Sequence, residues 1–586
     1  MGKRIADLLA EQSNCIAYII DNNSEEKEYN GITIITYEEW WNRKCTDVVL
    51  LCSPINNDLF YNQLTLDGYQ GKIVNVYEVM KDIYHNFEVP LDDLYALAGG
   101  EKLGYEYINE LELDFLASKG KKKDELLRVL IYLLLSVRDY YYAENYIEKL
   151  KKSADYTRYA NAVKEIRKMI SQVVENKEIK DVLFVHIIDS LEDSMIERMP
   201  VLQKTAEEGF RIKGITVQYP ITHYAINTLF TGKDVSEIEL GTREISIDDS
   251  DLLRYMKKEH IQVTYAACNP DKLMETTETD FFDIRGCKMF ISSILFEGLC
   301  CLDEMPESHM IVMHSINEIH APNYSIGYKN RLIYLAKSLT LLSDEKVSLN
   351  DFSLQFNCAI DYVNKQLEWY LPYYQKTGCP NLIMGDHGGS CEFDYNLFYG
   401  TKQDLSWIGN KEKITLAFII SGLDKRKTVE GIIPNTSLSN ILLDLLKLKS
   451  EQDELNLEKY VQKYAFLCAP PAYSENMNEL LVPKGMYGLY EGFAGVATKE
   501  EIYLLSATGR ELYFRPDEYR YRNLAHVNEW QDSKKKCKDL LQGREFPIEI
   551  YALEKYKYHL GMLEKYDEES FRKIMDRLSE KFLQSE

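Results

Sequence analysis

Residues 181–190, DVLFVHIIDS, decide how the rest of the chain is read. An apolar run interrupted only by His186 closes on Asp189 and Ser190. A continuous apolar stretch of this length, bounded by polar residues, reads as a strand buried on both faces, as in a parallel sheet covered by helices. Asp189 then stands at the carboxyl end of the strand, where open α/β sheets carry their chemistry. The plain alternative is an aspartate that forms a turn or caps a helix. His186, inside the run, reads as a satisfied core histidine.

Similar strands follow downstream, separated by helical stretches: GFRIKGITV (209–217), QVTYAAC (262–268), HMIVMHS (309–315), PNLIMGD (380–386) and ITLAFIISG (414–422). The expected fold is α/β, with a large central, mostly parallel sheet sandwiched by helices over 178–535. Upstream, CIAYIIDNN (15–23), GITIITYEEWW (31–41), DVVLLCSP (47–54) and KIVNVYEV (72–79) predict a small Rossmann-like α/β unit over 1–95. Residues 96–177 have helical periodicity with charged outer faces and read as a helical connector. Residues 536–586 read as a charged helical tail.

Composition limits the functions open to such a chain. It has 586 residues and a formal net charge of -24, which argues against a nucleic-acid partner. An anionic substrate held by a cation stays open, because the ion dominates the local field. The start, MGKRIADLLAEQSNC, has no apolar run of the secretory kind, and LLRVLIYLLLSV (126–137) is too short to span a bilayer. A cytoplasmic protein without an integral membrane segment is therefore expected. Its 12 cysteines, none in a CxxC pair, read as reduced thiols, with Cys391 a buried one. Oligomeric state is left open.

Four features fall at strand ends: Asp189; Thr222 in PITHYAINTLFTG (220–232); His320 in HSINEIHAPN (314–323); and Asp386 with His387 in PNLIMGDHGG (380–389). Carboxylate, imidazole and hydroxyl groups at one sheet edge suit a divalent cation. Taken singly, each has a plainer reading. Thr222 fits the start of a helix, and Asp386-His387 before two glycines fits a turn. Glu192 and Asp193 read either as helix-start carboxylates or as extra ligands. His314 and Glu318 flank His320, and spacing does not choose among them. His223 either binds phosphate or faces solvent.

The order of these motifs resembles the sulfatase-like branch of the alkaline phosphatase superfamily, over about 180–525. IIDSLEDSMIERMPVLQKTAEEGFRIKGITVQYP (187–220) matches that family's first strand and the approach to its nucleophile. Thr222 lies ten residues before Gly232, and HAPN, GDHGG and SLSNILLDLLKL (437–448) follow in the family's order. EEIYLLSATGRELYFRPDEYRYRNLA (500–525) matches loosely. The resemblance implies one divalent metal ion (zinc, manganese, magnesium or calcium) held by Asp189, Asp386, His387 and Thr222. Thr222 would be the nucleophile, forming a phospho-threonine. His320, and His223 in its phosphate-binding reading, would contact substrate.

Two departures narrow the class. THYAI, at 222–226, lacks the Cys/Ser-x-Pro/Ala-x-Arg pattern from which sulfatases make formylglycine, so phosphoryl transfer is preferred to sulfate hydrolysis. No histidine occurs between His387 and His526, unlike two-zinc relatives, so a single-metal arrangement like that of phosphoglycerol and phosphoethanolamine transferases is expected. The substrate expected is a small-molecule or glycan-linked phosphate ester. The N-terminal part resembles Rossmann-like domains beside sugar-modifying and methyltransferase modules of bacterial polysaccharide enzymes, which hints at surface-polysaccharide metabolism. By that resemblance, a chain starting at MGKRIADLLAEQ lacks the first strand and most of the Gly-rich turn, so a structural role is expected there. The alternatives are a sulfatase or phosphonate hydrolase with an unusual nucleophile, and a non-catalytic scaffold of the same fold.

Overall fold

Apolar runs bounded by polar residues become strands in the computed structural model. It describes residues 16–21, 27–44, 48–51, 103–151, 155–238, 242–333, 347–399, 409–469, 492–517, 522–541 and 568–584, together with parts of 61–75 and a few other positions; single positions within these spans are left out. The start MGKRIADLLAEQ, residues 76–79 of KIVNVYEV and most of 542–567 lie outside the described residues. The chain divides into two units: Met1–Ser136 with Tyr146–Lys152, and Val137–Asn145 with Ser153–Glu586.

In the first unit, β1 (Tyr18–Ile20), β2 (Glu28–Tyr29) and β3 (Ile32–Ile35) form a sheet of order β1-β3-β2, and β4 (Val49–Leu51) runs parallel to β5 (Ile73–Asn75). Thr36 and Glu39 close a capping box at the start of helix Tyr37–Asn42, which buries Trp40 against Ile35, Leu51 and Leu64. Helices Leu103–Ala117 and Gly120–Ser136 belong to this unit, whereas helix Asp155–Val174 belongs to the second.

The second unit is built on a nine-stranded sheet. Its strands are β6 (Lys180–Ile188), β7 (Phe210–Thr216), β8 (Gln262–Ala267), β9 (Phe282–Gly286), β10 (Glu307–Ser315), β11 (Asn381–Met384), β12 (Thr415–Leu416), β13 (Phe418–Ser421) and β14 (Lys427–Pro434). The order is β12-β7-β13-β11-β6-β10-β8-β9, with β14 beside β7. β11, β6, β10, β8 and β9 are mutually parallel. β13 is antiparallel to both β11 and β7, so β7 runs the same way as β11. The carboxyl ends of β6, β7, β8, β10 and β11 therefore share one edge.

Side chains of β6 alternate between the two faces, as a doubly covered strand requires. Leu183, Val185 and Ile187 enter the main core with Ile226 and Leu229 of helix Thr222–Thr231 and Ile441 of helix Leu438–Glu451. On the other face, Phe184 and His186 meet the ring of Tyr374 in helix Leu349–Lys376. His186 Nε2 is 3.1 Å from Asn381 Oδ1, while its Nδ1 is buried without a hydrogen-bond partner.

One predicted strand is two. ITLAFIISG breaks at Ala417 between β12 and β13. Ala417 N–H donates to the Leu191 carbonyl (2.9 Å), and its own carbonyl accepts from Gly385 N–H (3.1 Å). The peptide groups at the break thus leave the ladder to tie the loops after β6 and β11 together.

A smaller antiparallel sheet follows, β15 (Ala465–Ala469), β16 (Phe493–Ala497), β17 (Ile502–Ser506) and β18 (Glu511–Phe514), packed on Cys537 and Leu541 and on Ile574 and Leu578 of helix Glu568–Gln584. Among the described residues, no helix is long and apolar enough to cross a membrane.

Candidate metal centre

The shared strand edge gathers polar side chains that the apolar strands beneath them cannot satisfy. Asp189 follows β6 directly, and its backbone N–H is fixed on the Ser315 carbonyl at the end of β10 (2.8 Å). Asp386 and His387 follow β11 after Gly385. Asp386 Oδ1 accepts from the backbone N–H groups of Ser190 (3.1 Å) and His387 (2.8 Å). Its second oxygen, Oδ2, is buried with no hydrogen-bond partner. Glycine is needed at 388: a Cβ there would fall on the carbonyl oxygens of Glu412 and Thr415.

Thr222 opens helix Thr222–Thr231, which starts without a side-chain cap. Its Oγ1 donates to Asp189 Oδ2 (3.1 Å), and Asp189 Oδ1 accepts from Ser190 Oγ (2.9 Å). His387 Nε2 lies 3.6 Å from both Asp189 Oδ1 and Asp386 Oδ2. Its Nδ1 is 3.0 Å from the Gly388 carbonyl, so Nδ1 carries a proton and donates it to that carbonyl. The sequence-derived set Asp189, Thr222, Asp386 and His387 is thus gathered in one place.

The chain adds a ligand type that spacing did not single out. His314, the penultimate residue of β10, stands opposite Ile187 of β6. A ligand atom of His314 lies within 4.8 Å of oxygens of both Asp189 and Asp386. Its Nδ1 is 2.6 Å from the Tyr265 hydroxyl on β8, and its Nε2 is buried without a hydrogen-bond partner. The signal was present in MHS at 313–315, but the strand register is needed to set it beside Asp189.

The electrostatics follow from burial of like charges. Burial, and then the Asp386 carboxylate, push Asp189 up to about 7. Burial also pushes Asp386 up, but His387, His314 and the two N–H donors outweigh it and hold it below its ordinary value. Burial brings His314 down to about 4 and lifts the Tyr265 phenol well above its ordinary value. Among the described residues, no lysine or arginine pairs with Asp189 or Asp386. Asp189, His314 and Asp386, all buried and with ligand atoms within 4.8 Å of one another, could hold a metal ion, with His387 and the Thr222 hydroxyl beside them.

The remaining candidates sit around this cluster. His320 is exposed; its Nδ1 is 2.7 Å from the Ala321 carbonyl and its ring centroid 6.2 Å from that of His387. Desolvation and then the Lys413 ammonium lower its pKa. Lys413 is itself paired with Asp394 at 2.8 Å. His223 is half-buried, with its ring 4.3 Å from that of Tyr224 and its Nε2 buried without a partner. Burial, with Arg243 adding to it, brings it down to about 4.

Glu192 caps the turn Asp193–Arg198 through Ser194 N–H (2.9 Å), Asp193 pairs with Arg211 (3.2 Å), and Glu318 accepts from Ile291 N–H (2.7 Å). These three carboxylates serve local structure. Cys391 is half-buried, not buried, because it opens helix Cys391–Tyr399 beside Ser353.

No family model matches the chain, and no curated protein matches it. Solved structures similar to it are sulfatases and phosphonate monoester hydrolases. A 2-O GAG sulfatase matches at 12% identity and a TM-score of 0.46, over 62% of this chain and 91% of its own. The phosphonate monoester hydrolase of Silicibacter pomeroyi matches at 13% identity and 0.46, over 62% and 94%. A protein solved with its substrate D-glucosamine-2-N,6-O-disulfate matches at 10% identity and 0.47, over 64% and 99%. These likenesses are faint, and the chemistry of the site rests on its own residues.

Proposed function

We propose that the protein is a metal-dependent phosphoryl-transfer enzyme with Thr222 as nucleophile, acting on a small-molecule or glycan-linked phosphate ester as hydrolase or transferase. The observation that supports this most is the Thr222 hydroxyl, 3.1 Å from a carboxylate of the cation-type cluster and at the first residue of a helix. A threonine hydroxyl is a weak nucleophile in water, and a bound divalent cation lowers its pKa and offsets charge on a phosphoryl oxygen. The start of the helix favours the same anion.

Asp189, Asp386, His314 and His387, with Thr222, would hold the ion. Two imidazole nitrogens suit zinc better than calcium or magnesium, which favour all-oxygen sets. Thr222 Oγ would attack phosphorus in line as its proton passes to Asp189 Oδ2, the P–O bond to the leaving group would break, that group would take a proton from solvent to leave as the alcohol, and a phospho-threonine would form. His320 donates Nδ1–H to the Ala321 carbonyl, which leaves Nε2 as the acceptor. That nitrogen would take the proton of an incoming water or acceptor hydroxyl. His223 would contact the phosphate, and a place in surface-polysaccharide metabolism would fit such a substrate.

The test is metal analysis together with a panel of aryl phosphodiester, phosphomonoester, phosphonate and sulfate esters, on wild type and Thr222→Ala. Phosphate-ester turnover lost in the variant supports the reading. Turnover of sulfate esters alone favours the sulfatase alternative. A wild type inert to the whole panel and free of metal favours a non-catalytic scaffold.

A further inference from the structure

The Tyr265 phenol is buried in the middle of β8, 2.6 Å from His314 Nδ1. His314 faces Ala267 in the parallel β8–β10 pairing, so Tyr265 reaches it diagonally, with ring planes at 77°. Both residues are fully buried. The opposite nitrogen of His314, Nε2, has no hydrogen-bond partner, and a ligand atom of the ring lies within 4.8 Å of oxygens of both Asp189 and Asp386.

A neutral imidazole carries one N–H. When the phenol donates to Nδ1, that N–H sits on Nε2, where it has no hydrogen-bond acceptor. For Nε2 to offer a lone pair to a cation, the proton must sit on Nδ1, with the phenol oxygen accepting it. A tyrosine hydroxyl can take either role, and a phenylalanine takes neither.

We infer that Tyr265 is a positioning residue that holds His314 in either tautomer, and so lets Nε2 give its lone pair to the ion when one is bound. This rests on the metal-site reading above. Moving the proton from Nε2 to Nδ1 leaves the charge of His314 unchanged, and the phenol keeps its own proton throughout.

The experiment is a chelator-competition titration with Zn²⁺ on the full chain, for wild type, Tyr265→Phe, His314→Ala and the double variant. Tyr265→Phe, which keeps the ring and its packing, is expected to weaken Zn²⁺ binding about 10- to 100-fold, the scale for losing a partner of a metal-bound histidine. In the His314→Ala background the same change is expected to add nothing. ¹⁵N-detected histidine spectra of wild type should show one resonance set moving from the Nε2–H to the Nδ1–H pattern on addition of Zn²⁺, and His314→Ala should remove it. Wild-type affinity in Tyr265→Phe, or an equal loss in both backgrounds, overturns the inference and leaves the metal site standing. A wild type that takes up no Zn²⁺ overturns the metal-site reading itself, and this inference with it.

Discussion

β10 carries a buried histidine near each end, and the two look alike until their surroundings are compared. His309 and His314 are both fully buried, and burial brings each down to about 4. Each meets a hydroxyl of β8: His309 Nε2 is 2.7 Å from Thr264 Oγ1, and His314 Nδ1 is 2.6 Å from the Tyr265 hydroxyl. Around His309 the nearby carboxylates have a cationic partner, with Arg285 bonded to Asp283 (2.7 Å), Glu297 (3.1 Å) and Glu304 (2.6 Å). Around His314, among the described residues, no lysine or arginine pairs with Asp189 or Asp386. Burial and a hydroxyl partner are common to both histidines; carboxylates without a cationic partner are what single out His314.

The largest expected effect lies at the end whose carboxylates lack a cationic partner. Thr222→Ala should lower turnover of an aryl phosphate ester by about a thousandfold or more, the scale for deleting a nucleophile. Single-turnover assays with intact metal content would show it, and full activity would place the nucleophile elsewhere. His314→Ala should weaken Zn²⁺ binding about 10- to 100-fold, measured by chelator competition, the range seen when a metal site loses supporting groups.

The end held by Arg285 should respond in stability and not in chemistry. His309 titrates near 6.5 when unfolded and at about 4 when folded, so the unfolded chain binds more protons between those values. Stability should therefore fall as pH drops from 6.5 towards 4, and His309→Gln should flatten that acid limb in urea titrations while leaving turnover unchanged. A loss of turnover in that variant would break the comparison. The smallest change is Thr264→Val, which deprives His309 of its hydroxyl partner and should cost about 1–3 kcal/mol by equilibrium unfolding.

The ends of strands were legible in the sequence, for a physical reason. An apolar run that must be buried on both faces stops where a charged residue appears, so Asp189 and Asp386-His387 mark their own positions. Thr222 was legible only through its spacing to Gly232, which ends the same helix in the left-handed conformation at φ 70°. His314 was not chosen because it lies within its strand, and only the pairing of β10 with β6 and β8 gives it neighbours. ITLAFIISG read as one strand because residue pattern carries no record of Ala417 leaving the ladder. Antiparallel β13, between parallel β11 and β7, likewise depends on long-range pairing.

The lacing at Ala417 has a consequence for binding. Leu191 follows Asp189 by two residues and Gly385 precedes Asp386, and both are bonded to the one residue, Ala417. The two acidic loops are thus held in register by main-chain bonds made as the sheet forms. The conformational entropy of bringing the donors together is lost in folding, so an arriving ion orders little more than side chains.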